Sequence, residues 1–138
     1  MTWYLCALSK NEPRNWTLCR ETGLYGYSRG MARARVGDCL LFWVGGKGYC
    51  GYGVVTEPPR IPKDRSEAPW PGGTHRFTSV VPFELQVEVP QGIYLRFRDN
   101  VQEVTGFNTA KLQHSLSPVP DMGAENVKRL LDSAAQQL

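Results

Sequence analysis

With 138 residues, 41% of them apolar and 21% charged, the chain suits one globular domain covering 1–138 and leaves little room for a second. Fourteen glycines and ten prolines favour turns and sheet over helix. No apolar run approaches the roughly 20 residues of a membrane helix, and residues 1–8 carry neither a basic n-region nor a cleavage site, so a cytoplasmic protein that meets no membrane is expected.

Residues 2–8 read as a first strand rich in Trp, Tyr and Leu. Asn11 is placed to cap a helix that carries Pro13 in its first turn, runs through Trp16 and Leu18, and stops at Gly23. Residues 23–27 form a turn or short strand. After the turn at Val36, Gly37 and Asp38, the near-continuous apolar run 39–44 predicts a strand buried on both faces. A Gly-rich hairpin loop and a return strand over 49–55 follow, with Gly51 and Gly53 admitting a close neighbour. Residues 57–73 read as a long loop holding five prolines, Arg60, Lys63, Arg65 and Trp70, and loops of this length are commonly functional. Residues 74–89 predict one or two strands broken at Pro82, residues 93–98 another strand, and residues 108–114 a short helix. Apolar residues at 127, 130, 131 and 134 predict a last helix, docked on the sheet by Val127 with Leu130 and Leu131. The sum is an α+β architecture: a curved mixed sheet or small barrel of five or six strands flanked by two or three helices.

The net charge of +3 is unevenly spread, at +4 over residues 1–48, +1 over 49–98 and −2 over 99–138. Arg29, Arg33 and Arg35 fall in a stretch without acids, which suits phosphate and equally suits a solvated turn. The four cysteines, at 6, 19, 39 and 50, form no Cys-x-x-Cys pair and lie far from His75 and His114, so reduced thiols are expected and neither a metal nor a cofactor. No nucleotide-binding glycine loop or nucleophile elbow is present. His75 has no catalytic partner in view, so the chain is read as a binding protein with no catalytic residue.

Several segments, in order, resemble the EVE domain family, which is related to YTH and other PUA-like modules. They are Trp3-Tyr4-Leu5, Asn15-Trp16, Gly23-Leu24-Tyr25-Gly26 with Arg29 after it, the run from Val36 to Phe42, the glycine-rich return from Gly48 to Val54, and Trp70-Pro71 followed by His75-Arg76-Phe77. The resemblance covers most of the chain; Tyr25 stands where the family usually has Trp.

The resemblance implies a PUA-like pseudobarrel that flips a modified base into an aromatic pocket, often as the recognition part of a modification-dependent restriction system. Tyr25 and Trp70 would then be pocket walls, with Ser9, Asn11 and Ser28 as polar candidates at its edge; for Ser9 and Asn11, helix capping is an equal reading. Trp3, Trp16, Phe42 and Trp43 are read as core. Arg29, Arg33, Arg35, Lys47, Arg60, Lys63 and Arg76 are the candidate phosphate contacts. A 5-modified cytosine in DNA, read alone or with a nuclease domain or subunit, is the first expectation. An RNA-borne modified nucleotide and a small ligand are the alternatives.

Overall fold

Strand β1 (Trp3–Leu8) sends Tyr4, Cys6 and Leu8 into one hydrophobic cluster and Trp3 and Leu5 into another. This is the two-residue period of a strand buried on both faces. Strand β3 (Cys39–Val44) divides its residues the same way, with Leu40 and Phe42 on the first side and Leu41 and Trp43 on the second. The unbroken apolar run of 39–44 therefore reflects two cores, one on each face of a central strand.

The computed structural model describes residues 1–95, 104–106 and 115–137. Between β1 and β3 lie helix α1 (Asn15–Thr22) and strand β2 (Leu24–Tyr27). Strand β4 (Gly48–Val55), the short helix α2 (Gly73–Arg76), strand β5 (Ser79–Ile93), strand β6 (Ser117–Val119) and helix α3 (Asp121–Gln136) follow. The six strands form one curled sheet in the order β2-β5-β4-β3-β1-β6, in which β1 and β3 run parallel and every other pair antiparallel. The result is an α+β half-barrel.

Buried Asp38 sets the parallel pair. Its carboxylate accepts hydrogen bonds from the backbone N–H groups of Thr2 and Arg35, each at 2.8 Å, which holds the start of β1 beside the start of β3. The predicted hairpin is present. Gly51 and Gly53 are needed because a Cβ on either would lie 2.5 Å from a carbonyl oxygen of β5. Gly23 ends α1 at φ 68°, its N–H donating to the Cys19 carbonyl at 2.8 Å. The helix starts at Asn15, later than the predicted cap at Asn11. There the Asn11 N–H donates to Ser9 Oγ within the preceding turn.

The predicted break at Pro82 does not occur: β5 is one strand of 15 residues. Pro82 lies opposite Leu24 of the short strand β2, and its carbonyl accepts from Thr56, just past the end of β4. A missing N–H costs little where the ladder is ending. Ile93 closes β5 and does not open a new strand. The rest of the strand predicted for 93–98, beyond Leu95, and the helix predicted for 108–114, lie outside the described residues. Strand β6 has no counterpart among the predicted elements, since three residues containing a proline carry no periodic signal.

Helix α3 docks through Val127 and Leu131, both fully buried, and through Ala124. Leu130 is 39% exposed and does not share in the docking expected of it. Trp3, Trp16, Phe42 and Trp43 are buried as predicted. All four cysteines are free thiols, three of them buried and Cys39 partly covered. No helix among the described residues is long and apolar enough to cross a membrane.

Candidate ligand pocket

A cavity of about 450 Å³ opens where β1 and β3 end. Its size falls in the roughly 300–1,000 Å³ range of small-molecule and cofactor sites. Ala7 to Lys10 form one side, Asn15 and Cys19 of α1 another, and Trp43, Gly45 and the β2 residues Tyr25 and Gly26 close it, together with Trp70. Aromatic residues of β2 and the long loop thus meet at one hollow, although Tyr25 and Trp70 lie 45 positions apart in the chain.

Trp70 owes its position to a missing side chain. Gly26 presents bare backbone, and a Cβ there would lie 2.7 Å from both the Trp70 ring and the Phe77 ring. The two rings meet at 4.9 Å between centroids and 59° between planes, a tilted contact of the kind aromatic pairs prefer. Trp70 is 1% exposed and Tyr25 2%, so both form the floor of the hollow and not free-standing walls. The Tyr25 hydroxyl donates to the Ala7 carbonyl at 2.9 Å and so ties β2 to β1. Burial raises its pKa well above that of an ordinary tyrosine, keeping the hydroxyl protonated. Burial also pushes the Cys19 thiol up to about 12, against the opposing effect of the Trp70 indole, which keeps it unreactive.

The long loop that carries Trp70 is held along its length. Arg60 exchanges two backbone hydrogen bonds with Val80, at 3.0 and 2.8 Å, and its guanidinium pairs with Glu67 at 2.7 Å and Glu57 at 3.3 Å. At the cavity, Arg76 makes a two-pronged pair with Glu12, at 2.7 and 3.0 Å, and lies over the Phe77 ring. The same pair joins the loop before α1 to α2. Its hydrogen bond holds the Glu12 carboxyl below the usual glutamate range. A lowered folded pKa contributes stability above the unfolded value, lost as pH falls through the folded one. Glu12→Gln is therefore expected to cost less than about 1 kcal/mol at neutral pH, as for other partly exposed pairs. It should also flatten the loss of stability below about pH 4.5. Urea melts of both proteins between pH 3 and 7 check this.

Polar groups at the cavity divide into satisfied and unsatisfied. Asn15 is 7% exposed, and its Oδ1 is buried without a hydrogen-bond partner among the described residues, while the residue lines the hollow. Such an atom costs the fold about 1–3 kcal/mol unless something binds it. In the sequence, Asn15 stands out only as part of an Asn-Trp pair. The signal that could have marked it is a polar residue on the inner side of α1, beside the buried side chains of Trp16 and Cys19.

Ser9 and Ser28 line the cavity, whereas Asn11 faces a neighbouring hollow. Arg29 and Lys10 line it as well, and neither has an acidic partner among the described residues. Beyond Arg29 the backbone alternates: Ala32 and Ala34 are buried and Arg33 and Arg35 exposed, so both guanidinium groups point outward without acid partners among the described residues. Lys47 is exposed in the β3–β4 hairpin next to Gly45 and Gly46. Lys63 is exposed on the long loop, away from the cavity lining. Of the seven predicted phosphate contacts, Arg60 and Arg76 are those engaged in ion pairs among the described residues. His75 is exposed on α2 and does not line the cavity.

No family model matches the sequence, and no curated protein matches it significantly. Solved structures do match. The Toxoplasma CPSF4 YTH domain, in complex with a 7-mer m6A-modified RNA, superposes with a TM-score of 0.65 at 14% identity, covering 95% of this chain and 91% of that one. The Mmi1 YTH domain in complex with RNA gives 0.69 at 9% identity, covering 99% and 80%. A hypothetical protein from Leishmania major gives 0.61 at 15%, covering 100% and 98%. The likeness establishes the fold as a PUA-like half-barrel of the YTH type.

Proposed function

We propose that the chain is a non-catalytic reader that takes one modified nucleotide of RNA into the cavity over Tyr25 and Trp70. The observation that carries this reading is the Asn15 amide, buried at the wall of an aromatic hollow with its oxygen unpaired. A nucleobase supplies what that site lacks: a flat apolar face for the floor and hydrogen-bonding groups on its edge for the amide. Arg29, Arg33, Arg35, Lys10 and Lys47, which have no acid partners among the described residues, supply cations for the chain on either side. Four structures of similar fold are complexes with RNA, two of them m6A-modified, which favours RNA over the first expectation of a 5-modified cytosine in DNA. The EVE resemblance supports the same site, with Tyr25 as a pocket residue; a nuclease partner belongs to the DNA form of the reading.

Because Asn15 Oδ1 has no hydrogen-bond partner among the described residues, Asn15→Leu should lower folding stability by no more than about 1 kcal/mol. It should nevertheless weaken binding by about 5- to 150-fold, the worth of a hydrogen bond made only to the ligand. The test is fluorescence polarisation with matched RNA and DNA oligonucleotides that are unmodified or carry N6-methyladenine, 5-methylcytosine or 5-hydroxymethylcytosine. Preference for a modified RNA, lost in Asn15→Leu, is the expected result. Preference for a modified DNA would restore the cytosine reading, and equal binding of all probes by both proteins would end the base-pocket reading.

A further inference from the structure

A second hollow of about 430 Å³ adjoins the first and shares Glu12 and Asn15 with it as a common wall. Its apolar surface comes from Pro13 and Leu18 on the α1 side and Pro69 and Pro71 on the long loop, with Asn11 and two arginines, Arg14 and Arg65, also at its lining. Neither Arg14 nor Arg65 has a carboxylate partner among the described residues, whereas Arg20, Arg60 and Arg76 are all paired. Arg65 is exposed and lies against Gly73, where the backbone has φ +51° and a Cβ would lie 2.5 Å from Arg65 Nη1. The fold has left clear the space that this guanidinium occupies.

We infer that this hollow is a second subsite, which takes the nucleotide flanking the read base and holds its phosphodiester between Arg14 and Arg65. The inference rests on the base-pocket reading, since it needs a polymer threaded through the first cavity. A base seated there must carry its neighbour with it, and a hollow one shared wall away lies within one nucleotide of backbone. Apolar surfaces suit a base of any identity, because every base has an apolar face, and two guanidiniums without carboxylate partners suit a phosphate. The subsite would therefore add affinity for single-stranded RNA with little dependence on the flanking sequence.

Two probes, N6-methyladenosine and a trinucleotide carrying it at the centre, separate the parts. Wild type should bind the trinucleotide at least about tenfold more tightly than the nucleoside, through phosphate contacts the nucleoside lacks. In Arg14→Gln/Arg65→Gln that advantage should fall to within about threefold. The trinucleotide's salt dependence should drop by about 0.7 in slope, the value for one phosphate neutralised on a single strand. Nucleoside affinity should stay unchanged, and Arg14→Lys/Arg65→Lys should recover most of the slope. An undiminished advantage in the Gln variant would overturn the subsite while leaving the base pocket standing. Equal loss of nucleoside and trinucleotide binding would also overturn it, by placing the arginines at the base pocket or in the fold. Failure of wild type to bind the nucleoside would overturn the base-pocket reading and the subsite together.

Discussion

Trp70→Ala is expected to lower the unfolding free energy by about 3–5 kcal/mol, the usual cost of emptying a buried tryptophan site. The indole is 1% exposed and packs against Gly26 and Phe77, so its loss leaves a void in the first core as well as a hole in the cavity floor. Urea unfolding followed by circular dichroism reads the cost. A change below about 1 kcal/mol would mean that the loop leaves Trp70 free of the core. Where the variant remains folded, ligand affinity should also fall, because the cavity lining that Trp70 supports is lost. Trp70→Phe should recover much of the stability and part of the binding, because a smaller ring still rests on Gly26. Stability lost with binding intact would assign Trp70 to the fold alone.

Gly26→Ala perturbs the same packing from the other side. Its φ is unexceptional, so the added methyl strains no backbone; what it meets is the Trp70 and Phe77 rings at 2.7 Å. Both rings belong to a packed core and have little room to retreat. Overpacking of this kind costs about 1–3 kcal/mol. The indole's freer direction is the cavity, and a ring displaced that way takes up the room a ligand needs. The expected result is a protein that folds, with a modest loss of stability, and binds at least about tenfold more weakly than wild type, since a misplacement of about 1 Å at a fitted site carries a disproportionate cost. Thermal unfolding and polarisation binding on the same samples check both halves. Unchanged affinity would show that the floor does not touch the ligand.

What can be read from the sequence follows the range of the forces involved. The β3–β4 hairpin, the stop at Gly23 and the docking of α3 through Val127 and Leu131 rest on signals close together in the chain, and all are present. The run through Pro82 misleads because a proline's cost depends on what lies across from it, and the end of β4 opposite is a fact of topology. Strand β6 exists only because β1 offers it an edge. Tyr25 and Trp70 are joined in the sequence by resemblance to a family; composition and periodicity say nothing of a shared hollow across 45 residues. Asn15 can be seen in the helix, but that its amide is unpaired is a property of the finished packing. The pairing of Arg60 and Arg76 is likewise beyond the sequence, where an arginine near phosphate and an arginine near glutamate look alike.

The pinning of the long loop by Arg60 bears on timing. A segment that had to fold over its ligand would add a slow step after first encounter and lose chain entropy with each capture. Here the two backbone bonds to Val80 and the pair with Glu67 hold the loop before any ligand arrives. On the reading proposed above, the slow partner in recognition would then be the RNA, which must present its nucleotide unstacked. An RNA that already holds the nucleotide in a loop or bulge would, on that reading, be captured soonest, so RNA folding would set the order of capture.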